Sequence, residues 1–413
     1  MKIGLIIHTL DIPGGTQRQI IMLARELVKR GHEVKLFTFI YLPKISFPEL
    51  TGGLSIIALD QKYSPFLARF FRLRFIGTFV HQWFESRRCR ELALRMDPDF
   101  DILSPHDQMS MRVAYFYKKL IRDIPSAGLI SDLFLANWSY ADDPALRPPH
   151  RTFLQRLINW FRDEHLIDKY LAAQEVIAVL NDRTAHIAGA FLHRWIKVVR
   201  PGVDIDDFPY IERQPIDKTK KIKLFSHNFF YIHRRYEDTL EAVAMLRDRG
   251  YDVDLTIVGN HSFKDTARAY YERLQGLVRK LHLEDRVTFR GEVSAEDLLK
   301  EHHKAQIFVN ANHLQTWGIA PFEALSTGLP IVISNTIGAS EVLTHGENAL
   351  IFEALYPEEI AANIERLINE PDLYMRISKR GSEFARTKIT WQRWADDFLR
   401  FFAEAKEIHD KKK

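Results

Sequence analysis

Short apolar runs alternate with segments of helical periodicity along most of the chain. Residues 2–8 predict a buried strand, and apolar residues between 20 and 27 recur at helical spacing until Gly31 ends the pattern. Further strands are predicted at 34–39, 101–104, 127–130, 176–180, 223–226, 254–258, 287–289, 307–309 and 331–333. Because strands and helices alternate, the pattern predicts an α/β fold built on parallel sheets.

Two helices carry more specific signals. Thr16 and Gln19 stand three residues apart before the first apolar stripe, and this spacing predicts a capping box. A last helix is predicted over roughly 391–408, and its aromatic stripe needs a surface to pack against. The stripe consists of Trp391, Trp394, Phe398, Phe401 and Phe402.

The chain is too long for one hydrophobic core, so its 413 residues predict two domains. Residues 201–220 interrupt the strand–helix alternation with three prolines and four aspartates, which favours a linker. We therefore expect an N-terminal domain at 1–200, a C-terminal domain at 221–388 and a terminal segment at 389–413. Ligands of open α/β sheets bind beyond the carboxyl ends of the strands, so a cleft between the domains is the expected site.

Composition narrows the function classes. With 58 basic and 54 acidic residues the formal net charge is +4, which is too balanced to indicate nucleic-acid binding. The single cysteine, Cys89, excludes a disulfide framework and indicates a reducing compartment. The N-terminal apolar run is too short for a signal peptide, and no run of about 18 apolar residues follows. We expect a cytoplasmic protein.

Gly14 and Gly15 lie between the first predicted strand and the first predicted helix. Glycines allow close approach of a ligand, and the free N–H groups of a helix that starts near Thr16 attract anions. The spacing is not G-x-G-x-x-G, so a dinucleotide site is not indicated. An ordinary tight turn is the alternative interpretation.

The most informative segment is 315–325, which follows a predicted strand and begins a helix near Gly318. The N–H groups of 318–320 can bind a diphosphate, and Glu323 can accept hydrogen bonds from two sugar hydroxyls. Alternatively, Glu323 only favours the helix dipole. A strand end, a glycine and a helix start recur at 337–341.

Two neighbouring arginines precede an acidic helix start. Arg234 and Arg235 stand just before Glu237 and Asp238. A cation near the cleft could stabilise the negative charge on a leaving diphosphate. Alternatively, the arginines are solvated and pair with the two acidic residues.

Residues 63–95 form a basic and aromatic segment. Seven arginines stand against only two acidic residues, Glu85 and Glu91, and a stretch of this kind suits an anionic membrane surface. A core helix with exposed arginines is an equal alternative. The arginines, which alternate with phenylalanine and tryptophan, are Arg69, Arg72, Arg74, Arg87, Arg88, Arg90 and Arg95.

Two acidic pairs raise the question of a metal ion. Asp142-Asp143 and Asp206-Asp207 lie in proline-containing loops without a histidine or glutamate at ligand spacing. We expect no required metal.

Together the motifs resemble the retaining GT-B glycosyltransferases of family 4. The resemblance covers nearly the whole chain, and the block 315–341 is its most specific part. The matching motifs are Gly14-Gly15-Thr16-Gln17, Leu23-Ala24-Arg25-Glu26-Leu27, Arg30-Gly31-His32-Glu33-Val34, Pro201-Gly202-Val203-Asp204, Glu323-Ala324-Leu325, Gly328-Leu329-Pro330-Ile331-Val332, and Gly338 with Glu341.

The chain departs from the family pattern in its second half. Gln315 stands where the family usually has a glutamate, eight residues before Glu323. The family also uses an arginine and then a lysine to hold the diphosphate. Asn228 and Phe229 stand near the arginine position, and Arg234 or Arg235 stands near the lysine position.

The first half departs at one place. The family often has a histidine after the strand that ends near Ile130, where this chain has Ser131 and Asp132. His106 follows an earlier strand and is the alternative candidate.

The resemblance implies two Rossmann-like doubly wound domains that face a central cleft, with the C-terminal helix returning to the first domain. It implies a nucleotide-sugar donor in the second domain, a glycan or lipid-linked acceptor in the first, and hexose transfer with retention and without a cofactor. The implied catalytic residues are Arg234, Arg235, Glu323, Gln315, Asp132 and His106. Those implied to bind the donor are Gly259, His313, Gly318, Ile319, Ala320 and Glu323, and those on the acceptor or phosphate side are Gly14, Gly15 and Thr16.

Three alternatives remain. A GT-B-fold epimerase or phosphorylase would use a similar cleft, a catalytically weak or non-catalytic relative would bind without turnover, and a membrane-associated scaffold would need no cleft. The basic aromatic segment adds the option of peripheral attachment at the inner face of a membrane.

Overall fold

The computed structural model describes residues 1–60, 76–131, 167–262 and 264–413. The described residues up to Arg200, together with Trp391–Lys413, form one compact unit, and Pro201–Thr390 form a second. Each unit is built on parallel strands, which confirms the predicted α/β class.

The first unit contains a parallel sheet in the order β3-β2-β1-β4 and a second in the order β5-β6-β7. A parallel bridge between Leu103 and Ser126 connects β4 to β5. The central strand β1 is buried over most of its length, because its apolar residues face helices on both sides of the sheet. The strands are β1 (Lys2–Leu10), β2 (Glu33–Tyr41), β3 (Ser55–Ala58), β4 (Ile102–Pro105), β5 (Ala127–Ile130), β6 (Val176–Val179) and β7 (Lys197–Val198).

The second unit contains one parallel sheet in the order β10-β9-β8-β11-β12-β13. This is the doubly wound order, in which successive strands extend the sheet first to one side of β8 and then, from β11 onward, to the other. The strands are β8 (Ile222–His227), β9 (Val253–Val258), β10 (Val287–Gly291), β11 (Ile307–Asn310), β12 (Ile331–Ser334) and β13 (Leu350–Phe352).

Twelve α-helices lie in the described ranges. They are α1 (Gly15–Lys29), α2 (Pro48–Thr51), α3 (Ile76–Leu94), α4 (Ser110–Leu120), α5 (Asp182–Leu192), α6 (Tyr236–Asp248), α7 (Asp265–Lys280), α8 (Ala295–Lys304), α9 (Ala320–Ser326), α10 (Pro357–Asn369), α11 (Pro371–Lys388) and α12 (Trp391–Lys412). Among these described helices, none combines the length and the apolar character needed to cross a bilayer.

The predicted capping box of the first helix is wrong. Helix α1 begins at Gly15, its N-cap is Gly14, and no side chain bonds the free N–H groups of the first turn. Thr16 is therefore the second residue of the helix, where its hydroxyl cannot act as the N-cap.

Helix α12 buries its aromatic stripe in the first unit. Trp394 and Phe398 are fully buried, and the helix packs on α1 and on the strands β5 and β6. Arg30, the residue that follows α1, also donates to the backbone oxygen of Gln392 and to Asp396. Packing of this apolar face supplies the stability that a 22-residue helix lacks when isolated in water.

The proline-rich segment 201–220 packs on the second unit. The side chain of Arg213 is 5% exposed, and its guanidinium donates to the backbone oxygens of His302 and Ala305. Phe208 and Ile216 are also buried. This segment is therefore an integral part of the second unit.

Candidate functional site

The strand order of the second unit reverses between β8 and β11. In open α/β sheets this reversal opens a crevice beyond the carboxyl ends of the two strands. β8 ends at His227 and β11 ends at Asn310. The loops that follow these two strands carry six of the residues predicted from the sequence, which are Arg234, Arg235, His313, Gln315, Gly318 and Ile319.

Backbone hydrogen bonds join these loops to one another. The N–H of His313, after β11, donates to the oxygen of His233, after β8, at 2.7 Å. The N–H of Gly338, after β12, donates to the oxygen of Gln315 at 2.8 Å. The loops after β8, β11 and β12 therefore form one connected surface.

Glu323, on α9, has the best-defined surroundings among the predicted residues. It is 6% exposed, and its Oε2 lies 3.4 Å from Nε2 of His227. Burial lowers the pKa of His227 to about 4, so the imidazole is neutral at neutral pH. The contact therefore joins a carboxylate to a neutral ring rather than to a cation.

The side chain of Arg235 pairs with an acidic residue of α6, the helix that follows it. Its φ of 51° lies in the left-handed region, and its Nε and Nη2 donate to the two oxygens of Asp238 at 3.0 and 2.6 Å. Asp238 is 2% exposed, so this fork-shaped pair neutralises a buried carboxylate at the start of α6. Arg235 therefore follows the alternative interpretation of the sequence, in which the arginines pair with the acidic residues at the helix start.

Arg234 points instead toward the loop after β11. Its Nη1 lies 3.2 Å from a terminal atom of the Asn312 amide, and the same atom lies 2.5 Å from Oε1 of Gln315. With the amide oxygen in that position, Asn312 accepts a hydrogen bond from Arg234. Gln315 donates to the same oxygen only when its own amide is turned so that Nε2 takes the place of Oε1. Arg234, Asn312 and Gln315 thus form a polar group at the carboxyl ends of β8 and β11.

Two glycines allow close approach of backbone segments. A Cβ on Gly259, after β9, would lie 1.9 Å from the backbone oxygen of Asn228, so no other residue fits there without a backbone shift. Gly318 has a φ of 96°, and a Cβ there would lie 3.1 Å from Oε1 of Gln315. Ile319 and Ala320 follow Gly318 directly and begin α9.

The candidates of the first unit lie in different surroundings. Gly14, Gly15 and Thr16 lie at the start of α1, after β1, where free N–H groups are available to an anion. Gly14 has a φ of −91°, so its conformation does not itself require glycine. Asp132 lies outside the described residues, as do Asp142 and Asp143.

His106 belongs to the core of the first unit. Its ring is fully buried, stacks on Phe398 of α12 at 5.2 Å, and has Nε2 3.2 Å from Oγ of Ser104. Burial lowers its pKa to about 3. In this structure the ring of His106 is enclosed by core atoms and its surroundings give no support to the catalytic role that the resemblance implies.

The basic aromatic segment is only partly described, because residues 61–75 lie outside the described ranges. In α3, Trp83 is 60% exposed and Arg87 lies over its ring. Arg88, however, is 2% exposed and pairs with the buried Glu85. The described residues of this segment therefore include both exposed and buried arginines.

Sequence reasoning missed His302 and Asp107. His302 stands in the polar run Glu301-His302-His303-Lys304, which is typical of an exposed helix end, yet it is fully buried beside His227. Asp107 accepts from the N–H groups of His8 and Ser110 at 2.6 and 2.7 Å and so connects the end of β1 to α4. Only its position after a buried strand could have indicated this role.

Two family models together cover most of the chain. Residues 13–207 match the model described as Glycosyltransferase Family 4, and residues 206–384 match the model described as Glycosyl transferases group 1.

Individual relatives are distant, and they match either nearly the full length or only part of the chain. Glycogen synthase from Mycobacterium tuberculosis is 22% identical over 415 residues, covering 95% of this chain and 92% of that protein. Mannosylfructose-phosphate synthase from Agrobacterium fabrum is 26% identical over 168 residues, which cover 40% of this chain and 37% of that protein. The crystal structure of Anabaena HepE in complex with UDP and glucose has a TM-score of 0.72 at 15% identity, covering 98% of this chain and 99% of that one.

Proposed function

Because this chain belongs to the group 1 glycosyltransferases of family 4 and has the GT-B fold, we propose that its second unit binds a nucleoside diphosphate sugar. On this proposal the enzyme transfers the hexosyl group to a glycan or lipid-linked acceptor with retention of anomeric configuration. The acceptor binds on the first unit, near the start of α1.

One observation supports the donor site above the others. Arg234 and Gln315 both contact Asn312 in the loop after β11, and Glu323 contacts His227 at the end of β8, so all three lie on elements that follow the carboxyl ends of these two strands. A cation, an amide and a carboxylate at the reversal point of a doubly wound sheet are the groups that a nucleotide sugar requires.

Each group has a distinct role in the proposal. Arg234 and the N–H groups of 318–320 hold the diphosphate, because positive charge and oriented donors attract phosphate oxygens. Glu323 accepts hydrogen bonds from the two ribose hydroxyls. Gln315 and His313 contact the sugar, and an amide at Gln315 both donates and accepts where a carboxylate only accepts.

The chemical step follows from these roles. The bond between the anomeric carbon and the diphosphate oxygen breaks, and the acceptor oxygen forms a new bond on the same face of the ring. The acceptor proton moves to the departing phosphate oxygen, so no protein nucleophile is needed. Arg234 stabilises the charge that grows on the diphosphate, and positioning of the two substrates supplies the rest of the acceleration. No cofactor or metal ion takes part in this scheme.

The attachment of the enzyme to a surface is a second part of the proposal. Among the described residues of segment 63–95, Trp83 and Arg87 are exposed, and Arg87 lies over the Trp83 ring. A peripheral contact with anionic lipid would bring the active site to a lipid-linked acceptor.

Binding of UDP to the Glu323→Gln variant tests the donor site. Hydrogen bonds to a charged group contribute about 1.5–3 kcal/mol, so the affinity for UDP should fall about 10- to 100-fold. The affinity for 2′,3′-dideoxy-UDP should be unchanged, because this nucleotide has no ribose hydroxyls. Titration calorimetry with both nucleotides, repeated with GDP and its dideoxy form, measures the difference.

The exposed carboxylate of Glu272, on α7, provides the matched control, and Glu272→Gln should leave both affinities unchanged. If Glu323→Gln weakens both nucleotides equally, or weakens neither, then Glu323 does not bind the ribose and the proposed donor site is wrong.

A further inference from the structure

A compact group of three metal-ligating side chains lies inside the second unit. His227 ends β8, His302 lies on α8 and Glu323 lies on α9. One ligand atom from each side chain lies within 4.8 Å of the other two, and Nε2 of His227 is 3.4 Å from Oε2 of Glu323. One strand and two helices thus each contribute one side chain to this group.

His302 is the unusual member of the group. It is fully buried, and neither of its ring nitrogens has a hydrogen-bond partner. Its ring is surrounded by Phe208, Phe225 and Phe308 at centroid distances of 5.2, 5.0 and 6.1 Å. Nε2 of His227 is also buried without a hydrogen-bond partner. Buried polar atoms are normally satisfied, so these nitrogens indicate a ligand.

The three side chains offer the atoms that a metal ion binds. An imidazole nitrogen without a proton presents a lone pair to a metal ion. The carboxylate of Glu323 supplies the negative charge that compensates a buried cation.

We propose that His227, His302 and Glu323 bind a divalent cation of the zinc class. Two imidazole nitrogens and one carboxylate oxygen form a ligand set that zinc uses elsewhere, with a fourth position open to water. At bond lengths of about 2.0–2.1 Å, tetrahedral ligand atoms lie about 3.3–3.4 Å apart, which agrees with the distance between His227 and Glu323. The other separations in the group are at most 4.8 Å.

The ion has a consequence that rests on the proposed donor site. Glu323 is also the residue proposed to bind the ribose, so the ion and the nucleotide compete for one carboxylate. Zinc should therefore lower the affinity for UDP, and the metal-free protein should bind UDP best. The site is thus inhibitory and separate from any metal requirement of the transfer step.

The test uses the full chain, stripped with EDTA and freed of chelator, and the His302→Phe variant. Phenylalanine fits a position that three phenylalanines surround and removes both nitrogens, so the variant should fold with an unchanged or raised Tm. Calorimetric titration with ZnCl2 should give one tight site in the wild type. Loss of a residue that only orients a ligand costs about 10- to 100-fold in metal affinity, so loss of a ligand should cost more than about 100-fold. CoCl2 should give the visible absorption of a tetrahedral site in the wild type alone.

His303→Gln is the matched control, because it changes the neighbouring histidine of α8 and leaves the three ligands intact. It should bind zinc like the wild type. Absence of a tight site in the wild type, or equal zinc affinity in His302→Phe, would overturn the proposal. UDP titrations of the metal-free proteins separate the two claims: normal UDP binding without any zinc site refutes only the metal proposal, and a zinc site without UDP binding refutes only the donor site.

Discussion

The two adjacent arginines, Arg234 and Arg235, should respond to substitution in opposite ways. Arg235 neutralises Asp238, which is 2% exposed, through two hydrogen bonds of 2.6 and 3.0 Å. Removal of one partner of a buried pair costs about 3–5 kcal/mol, because the other charge stays buried and unpaired. The Arg235 side chain is itself 20% exposed, so we expect Arg235→Ala to lower the free energy of unfolding by about 2–4 kcal/mol.

The backbone conformation of Arg235 allows a second variant to test the expected loss of stability. Arg235 has a φ of 51°, which costs a residue with a Cβ roughly 1–2 kcal/mol. Arg235→Gly removes this strain as well as the ion pair, so it should be less destabilising than Arg235→Ala by about 1 kcal/mol. Arg235→Ala combined with Asp238→Asn should recover part of the loss, because no buried charge remains.

Arg234→Ala should weaken nucleotide binding and leave the stability of the protein nearly unchanged. Its guanidinium faces Asn312 beyond the strand ends, so the free energy of unfolding should change by less than about 1 kcal/mol. The affinity for UDP should fall about 10- to 100-fold through the lost charged hydrogen bonds.

Urea unfolding and UDP calorimetry on the same preparations measure both quantities. If Arg234→Ala binds UDP normally while folded Arg235→Ala does not, the two roles have been assigned to the wrong residues.

Two further predictions concern the first unit. Because burial lowers the pKa of His106 from 6.5 to about 3, the unfolded state binds one more proton between these values, so stability should fall as the pH drops from 6.5 toward 3. His106→Gln should flatten this dependence by up to about 1.4 kcal/mol per pH unit in urea unfolding, and identical slopes would contradict the assignment. Replacement of Arg69, Arg72 and Arg74 by glutamine should weaken binding to anionic vesicles by about 1 kcal/mol per charge in co-sedimentation. If the wild type does not bind such vesicles at low salt, segment 63–95 has no lipid role.

The alternation of strands and helices was predictable because apolar runs and periodicity are local properties of the sequence. The block around Glu323 was predictable for a related reason, since its glycines punctuate a strand end and a helix start. The hydrogen bond from His313 to His233, which joins the loop before this block to the loop after β8, was not predictable. A backbone hydrogen bond between two loops leaves no pattern in the sequence.

Other features needed three-dimensional packing. Arg234 and Arg235 are chemically identical in the sequence, and only the left-handed conformation of Arg235 turns its side chain toward Asp238. His302 lies in a polar run that resembles a solvated helix end, yet the helix turns this one position toward Phe225 and His227. Thr16 satisfied the capping pattern, but the N-cap is Gly14, two residues earlier, so Thr16 lies inside the helix.

A crystal structure of the metal-free protein with UDP or GDP tests the central claim most directly. The account predicts that both ribose hydroxyls donate to the carboxylate of Glu323 at about 2.5–3.0 Å and that the diphosphate contacts Arg234 and the N–H groups of 318–320. A nucleotide bound anywhere else, or one bound there with its ribose turned away from Glu323, would contradict it.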